Sequence, residues 1–152
     1  MIATRPAVAA DVPDLAAITR AAYQHYVPRM GREPAPMSAD YAAAVRDGQA
    51  WVATRDGRVV GHVVLVPEPD HLLLQNLAVS PAAQGQGVGT ILLTLAEDEA
   101  RRRGLGEIRL YTNEAMTENL AYYPRRGYTE THRATQAGYR RVFFRKVVTS
   151  GA

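Results

Sequence analysis

Residues 77–104 read LAVSPAAQGQGVGTILLTLAEDEARRRG, and this stretch decides how the rest is read. Its first residues close an apolar, strand-like run from Leu72 to Val79, which Ser80-Pro81 stops, because the residue before a proline is kept out of helical conformation. From Val88 to Arg103 the chain reads as a long helix. Val88, Leu92, Leu95 and Ala96 share one face, and Glu97, Arg101 and nearby charges cover much of the rest. Gly104 and Gly106 end it. Between strand and helix lies Gln84-Gly85-Gln86-Gly87-Val88-Gly89, with glycines at alternate positions. Glycine admits close backbone approach to a ligand. A helix start offers free N–H groups and favours negative charge. A pyrophosphate fits that environment, and Gln84 adds side-chain donors. The dinucleotide fingerprint needs GxGxxG and an acidic residue about 20 positions on; here the spacing is GxGxG. A P-loop needs Gly-Lys-Ser/Thr; here Gly89 is followed by Thr90 without a lysine. A purely structural glycine turn is the bland alternative.

Working outward, Ile2–Arg5 reads as a strand. Asp11 caps a helix with Pro13 in its first turn and Leu15, Ile18 and Ala22 at helical spacing. Residues 27–37 hold three prolines and one glycine and read as loop, and Ser38 caps a short helix through Val45. Trp51–Thr54 and Val59–Val66 are strands joined by the hairpin signal Asp56-Gly57. After the long helix come a strand at Ile108–Tyr111, a helix at Thr117–Arg126, and two strands, Tyr128–Arg133 and Arg140–Val148, joined through Gly138. The order is that of one mixed α/β domain, residues 1–150, rather than a repeated βαβ nucleotide fold.

The 152 residues are 47% hydrophobic and 22% charged, an ordinary globular composition. There is no cysteine, which excludes disulfides, thiolate-held zinc, Fe–S clusters and an acyl-cysteine intermediate. The histidines, 25, 62, 71 and 132, show no metal-ligand spacing, so no metal is expected. The net charge of +3 comes from scattered arginines and one lysine, Lys146, and forms no stripe interleaved with aromatics, so nucleic acid is not the expected partner. No secretory signal and no apolar run of the ~20 residues that span a bilayer is present; a cytoplasmic protein without a membrane partner is the expectation.

The stretch from Leu77 to Gly104 resembles the acyl-CoA-binding motif of the GCN5-related N-acetyltransferase (GNAT) superfamily. Its pattern Gln/Arg-x-x-Gly-x-Gly/Ala is met by Gln84, Gly87 and Gly89. YYPRRGY at 122–128 resembles the superfamily's Tyr-x-x-x-Gly-Phe/Tyr motif, and the element order matches across nearly the whole chain. The resemblance implies a mixed sheet flanked by helices and splayed at the acyl-CoA site, with acetyl-CoA as acyl donor. It implies that backbone N–H groups of Gln84, Gly85, Gln86, Gly87, Val88, Gly89 and Thr90 cradle the pyrophosphate, and that Val79 pairs with the pantetheine arm. The Leu77 N–H then faces the thioester carbonyl, where a preorganised donor stabilises the charge that amine attack builds on oxygen. Tyr123, four residues before Gly127, would donate to the departing thiolate; Tyr122 is its neighbour and alternative.

Two departures stand out. The superfamily's asparagine seven residues before the tyrosine is Met116 here; Asn119 and Asn113 are candidates to replace it at the cofactor. The run His71-Leu72-Leu73-Leu74-Gln75-Asn76 has no carboxylate where relatives often keep a basic glutamate. Glu68, Asp70 and His71 at its start, or a water relay, are left as routes for the amine proton. On the acceptor side, Tyr23, Tyr26, Arg29 and Arg32 are the candidate substrate-binding residues, the arginines suiting an acidic substrate and the tyrosines supplying apolar area with a polar handle. Core tyrosines and solvated arginines are the bland alternative. The expected activity is acetyl transfer to a primary amine of a small molecule or protein by direct attack in a ternary complex. The alternative is a non-enzymatic acyl-CoA sensor. FFRKVV at 143–148 is either an edge strand that pairs in a homodimer or an internal strand of a monomer.

Overall fold

The computed structural model describes residues 1–149; Ser150, the expected end of the domain, lies outside the described residues. Seven strands form one sheet: β1 (Ile2–Pro6), β2 (Ala50–Arg55), β3 (Arg58–Pro67), β4 (Leu72–Val79), β5 (Glu107–Asn113), β6 (Thr129–Gln136) and β7 (Tyr139–Val147). They lie in the order β1-β2-β3-β4-β5-β7-β6, antiparallel throughout except for β4 beside β5. The helices are α1 (Val12–Tyr23), α2 (Val27–Met30), α3 (Tyr41–Arg46), α4 (Val88–Arg102) and α5 (Thr117–Tyr122). A parallel neighbour needs a crossover connection, and α4 supplies it between β4 and β5.

Successive residues of β3 serve opposite faces of the sheet, as the period of two requires. Val63 and Leu65 join Leu92, Leu93 and Ala96 of α4 in the larger core. Val64 joins Leu15 of α1, Tyr41 and Ala44 of α3 and Val52 of β2 in the second core. Gly61 of β3 sits under α4, where a Cβ would press on Val88 and Leu92 and on the Ala78 carbonyl; its bare backbone lets the helix lie close. The hairpin at Asp56-Gly57 takes left-handed φ at both residues, 52° and 78°, the conformation such two-residue turns require.

Several local expectations change. Asp11 does not cap α1: its carboxylate accepts from the Val8 N–H at 2.8 Å and from Arg5 at 2.7 and 3.0 Å, tying β1 to the first turn. The cap of α3 is Asp40, which accepts from the Ala43 N–H at 3.0 Å, and not Ser38. Residues 27–37 are not plain loop: Pro28 starts the single-turn α2, ended by left-handed Gly31, and a 3₁₀ turn spans Ala35–Ser38. The helix expected over 117–126 divides at Pro124 into α5 and a 3₁₀ turn, Pro124–Arg126. FFRKVV is internal up to Val147, because β7 lies between β5 and β6, and the edges are β6 and β1.

One polar chain crosses the second core. His62 of β3, fully buried, has Nε2 2.8 Å from Thr19 Oγ1 of α1. Thr19 Oγ1 lies 3.0 Å from the Tyr41 hydroxyl, which donates to the Pro36 carbonyl at 2.7 Å and accepts from Asn76 Nδ2. Burial pushes His62 down from 6.5 to about 4, because the imidazolium loses its hydration.

Leu92, fully buried at the centre of the larger core, sets the first expectation: Leu92→Ala destabilises by about 3 kcal/mol, read from the urea midpoint. The second concerns acid. The unfolded chain takes up a proton at His62 that the folded chain refuses, so stability is full above pH 6.5 and falls as pH drops toward 4. At about 1.4 kcal/mol per unit the shift amounts to about 3 kcal/mol at pH 4. Denaturation curves between pH 7 and 4 measure it, and His62→Gln flattens that part of the pH dependence; an unchanged slope in the variant would remove His62 as its source.

Candidate active site

β4 and β5 pair only at Leu72 with Ile108 and Leu73 with Arg109. Beyond those two pairs they diverge. Gln75 has no partner on β3, where the register passes from Leu65–Leu74 to Val64–Asn76; such a bulge bends a strand. Ser80 N–H bonds the Val60 carbonyl at 2.8 Å. Bonded and non-bonded pairs alternate along an antiparallel ladder, so Ala78 and Asn76 take the next bonded positions against β3, and Leu77 and Val79 turn their backbone groups toward the gap. Both carbonyls are occupied there: the Tyr23 hydroxyl donates to Leu77 at 2.8 Å, and Gln84 Nε2 to Val79 at 3.3 Å. Their N–H groups face the space that β5 has left.

Two cavities meet at this gap. A groove of about 460 Å³ starts at the glycine turn and runs along Val79 to Leu77. A cavity of about 380 Å³ opens on the other side, toward α3, β5 and β7. Tyr23, Leu77, Asn119 and Tyr123 line both.

At the groove end, Gly85 and Gly87 hold left-handed φ of 80° and 84°, which frees the turn to bring its backbone to the helix start. The bond from Ile91 N–H to the Gly87 carbonyl, 3.1 Å, opens α4, so the N–H groups of Val88, Gly89 and Thr90 have no intrahelical partner. A Cβ at Gly89 would run into the Tyr122 hydroxyl, and the Arg126 guanidinium lies 3.5 Å from the centre of the Tyr122 ring. Gln84, Gly85, Gly87, Val88, Gly89 and Thr90 line the groove; Gln86 does not, its amide donating to Ala82 at 3.4 Å.

Tyr123 is buried among Tyr122, Tyr128 and Phe144, with ring centres 5.2, 5.6 and 6.0 Å away. Burial, reinforced by the surrounding tyrosines, raises its phenol well above the usual range, so the group carries its proton at any working pH. Burial raises Tyr23 in the same way. Asn119 donates from Nδ2 to Thr112 Oγ1 at 3.1 Å. Asn113 is spent on its own turn, accepting from the Ala115 N–H at 2.9 Å, and Met116 stands buried at the start of α5.

The expected acceptor side separates. Tyr23 reaches the junction, and Tyr26 lines the groove only. Arg29 and Arg32 line neither cavity. Arg29 donates to Glu118 at 2.7 and 3.1 Å across the groove mouth; hydrogen bonds from Tyr26 and Arg29 hold that carboxyl at about 2. Arg32 lies 3.9 Å from the Tyr139 ring centre and donates to the Ala137 carbonyl. Glu68, Asp70 and His71 also line neither cavity; His71 Nδ1 sits 2.7 Å from Asp70 Oδ1 at the far end of β4. Sequence reasoning missed Asn76, Tyr111, Tyr139 and Arg141 on the cavity wall and Arg126 in the groove. The one local signal was Asn76, a polar residue in the buried phase of an apolar strand.

Comparison with known proteins agrees with this architecture. The sequence model of the "Acetyltransferase (GNAT) family" matches residues 14–128. The mycothiol acetyltransferase of Jonesia denitrificans is 38% identical over 82 residues, 53% of this chain and 26% of that protein. The aminoalkylphosphonate N-acetyltransferase of Salmonella typhimurium is 37% identical over 88 residues, 53% of this chain and 56% of its own length. The match thus spans about a quarter to about half of these curated relatives. The crystal structure of PaiA N-acetyltransferase from Thermoplasma acidophilum in complex with coenzyme A superposes with a TM-score of 0.82 at 18% identity, covering 97% of this chain and 99% of that one, a likeness of fold. With the splayed sheet, the glycine turn ahead of α4 and a family match over most of its length, the chain belongs to the acetyltransferase (GNAT) family.

Proposed function

We propose that this protein transfers an acetyl group from acetyl-CoA to the primary amine of a small molecule or a protein, by direct attack in a ternary complex. The observation that carries this reading is the meeting of groove and cavity at Tyr23, Leu77, Asn119 and Tyr123. A thioester threaded from the glycine turn and an amine arriving from the other side would come together there. The family relationship and the coenzyme A complex of the fold relative support acetyl-CoA as the donor.

In this reading the pyrophosphate sits on the free N–H groups at the start of α4. The pantetheine arm takes the place β5 has vacated and pairs with the Val79 backbone. The amine nitrogen attacks the thioester carbon, a C–N bond forms, and the carbonyl electron pair moves onto oxygen, where the Leu77 N–H donates. The Tyr23 hydroxyl, bound to the Leu77 carbonyl, stiffens the peptide that carries this donor. When the intermediate collapses, the C–S bond breaks and its electrons go to sulfur. Tyr123, kept protonated by its burial, donates to that sulfur. The attacking amine must be neutral; the cavity wall offers the carboxylates Asp40 and Asp47 and no histidine, so its proton leaves to one of these or to water. With no cysteine in the chain, acetyl passes directly from donor to acceptor.

Tyr123→Phe is expected to lower kcat by about a hundredfold with the acetyl-CoA KM nearly unchanged, measured by thiol release over an amine panel. Unchanged turnover removes the role from Tyr123, and tight CoA binding with no transfer to any amine favours a sensor over an enzyme. At the other end of the groove, Gly89→Val forces Tyr122 and the stacked Arg126 aside. Calorimetric titration should show CoA binding weakened at least tenfold, with the melting temperature of the unliganded protein shifted by only a few degrees.

A further inference from the structure

We propose that the acceptor amine also carries an oxyanion, and that Arg141 binds it. This rests on the acetyltransferase reading and names the substrate class of the same cavity. The formally charged side chains on the cavity wall are Asp40, Asp47 and Arg141. The two carboxylates belong to the α3 side and are partly engaged: Asp40 Oδ1 accepts from the Ala43 N–H at 3.0 Å, and Asp47 Oδ1 lies 3.5 Å from Arg46 Nε. Arg141 comes from β7, in register with Asn113 at the open end of β5. Its neighbour Arg140 pairs with Glu114 at 3.3 Å. Arg141 forms no ion pair among the described residues.

What holds Arg141 is neutral. Nη1 donates to Gln136 Oε1 at 3.0 Å, and the guanidinium carbon lies 4.3 Å from the Tyr111 ring centre and 5.4 Å from that of Tyr139. Aromatic faces and one amide fix the plane of the group without neutralising it, and most of its five N–H donors stay free for a carboxylate or phosphonate. A second group on the same wall points to a ligand independently. Asn76 is 5% exposed, its Nδ2 is committed to the Tyr41 hydroxyl, and its Oδ1 has no partner among the described residues. A buried acceptor without a donor is costly; a ligand N–H relieves it. An amine supplies that N–H, and an acid group on the same molecule answers Arg141. The cavity, about 380 Å³, has the size of small-molecule sites.

The test pairs each ω-amino acid from glycine to 6-aminohexanoate with its own amide, adds 3-aminopropylphosphonate, and measures acetyl-CoA-dependent thiol release. In at least one pair the acid is expected to exceed its amide by tenfold or more in kcat/KM. Arg141→Gln should erase that ratio by slowing the acid alone, and Arg141→Lys should restore part of it. The phosphonate arm tells a planar anion site from a tetrahedral one. Amides equal to or better than acids in every pair, or a ratio that survives Arg141→Gln, overturns the proposal and leaves the acetyltransferase reading standing. If no compound is acetylated, binding still judges the anion site. The N-acetylated acids should then raise the melting temperature of the CoA-saturated protein but not of its Arg141→Gln variant; no shift in either overturns the proposal.

Discussion

The divergence of β4 from β5 is the constraint on which the rest of this structure depends. A sheet interior normally pairs every backbone group, since a buried N–H or C=O without a partner is expensive. Here two residue pairs suffice to set the strands side by side, after which the Gln75 bulge carries β4 away. Side chains take up the carbonyls that the missing neighbour would have bonded: Tyr23 on Leu77 and Gln84 on Val79. The N–H groups remain. An opening made this way is narrow, lined by directed donors and held by the two-sided core beneath it, and its two mouths are the groove and the cavity. The glycine turn matters only because it follows directly on the stretch of β4 that borders the gap.

Phenols and amides make up most of the polar groups set around this opening. Tyr23, Tyr41, Tyr111, Tyr123 and Tyr139 line the cavity, in a chain without cysteine. A phenol donates and accepts without charge, and burial at Tyr23 and Tyr123 makes its ionisation harder still. The cations stand at the margins, Arg126 over Tyr122 at one end and Arg141 between Tyr111 and Tyr139 at the other, and the cavity's carboxylates, Asp40 and Asp47, stand on its α3 side. A thioester and a neutral amine need such an interior, because a fixed ion beside the reacting atoms would favour the ammonium or repel the developing oxyanion. The substrates' own charges then fall at the two ends.

Most of the fold was legible because its signals are local. The Leu72–Val79 run, the Asp56-Gly57 turn and the helical face of α4 each lie within a single element, and the structure reproduces them. The segment from 27 to 46 was misread where prolines taken as loop signals sit in the first turn of a short helix or a 3₁₀ turn, and where Asp40 outcompeted Ser38 for a cap two residues away. Of the residues that line the groove, Leu77, Tyr123 and the glycines were legible through the two motifs, because each motif is a contiguous piece of one wall. Arg29 and Arg32 line neither cavity, because they are drawn to Glu118 and Tyr139, which lie some 90 to 110 positions on and could not be read from local sequence. Arg141 was missed for the converse reason: β5 and β7 meet only in the sheet, and no spacing along the chain announces that Tyr111 and Arg141 share a wall.

Asn76 shows how the core reaches into the site. Its amide nitrogen faces the Tyr41 oxygen, Tyr41 is fixed by Thr19 and by the Pro36 carbonyl, and Thr19 is fixed by His62. Each link lies in a low-dielectric interior, where a satisfied bond is strong and a broken one leaves a stranded dipole. The chain therefore leaves Asn76 little rotational freedom. Among the described residues, two atoms of this network end without partners, His62 Nδ1 and Asn76 Oδ1. His62 lies fully buried in β3 and touches neither cavity, whereas Asn76 lies on the cavity wall. A network that served stability alone would place both ends where water or a backbone group satisfies them. This one fixes the orientation of an acceptor at the cavity wall, one residue before the donor at Leu77, so that donor and acceptor stand on the same strand beside the point where an amine has to arrive.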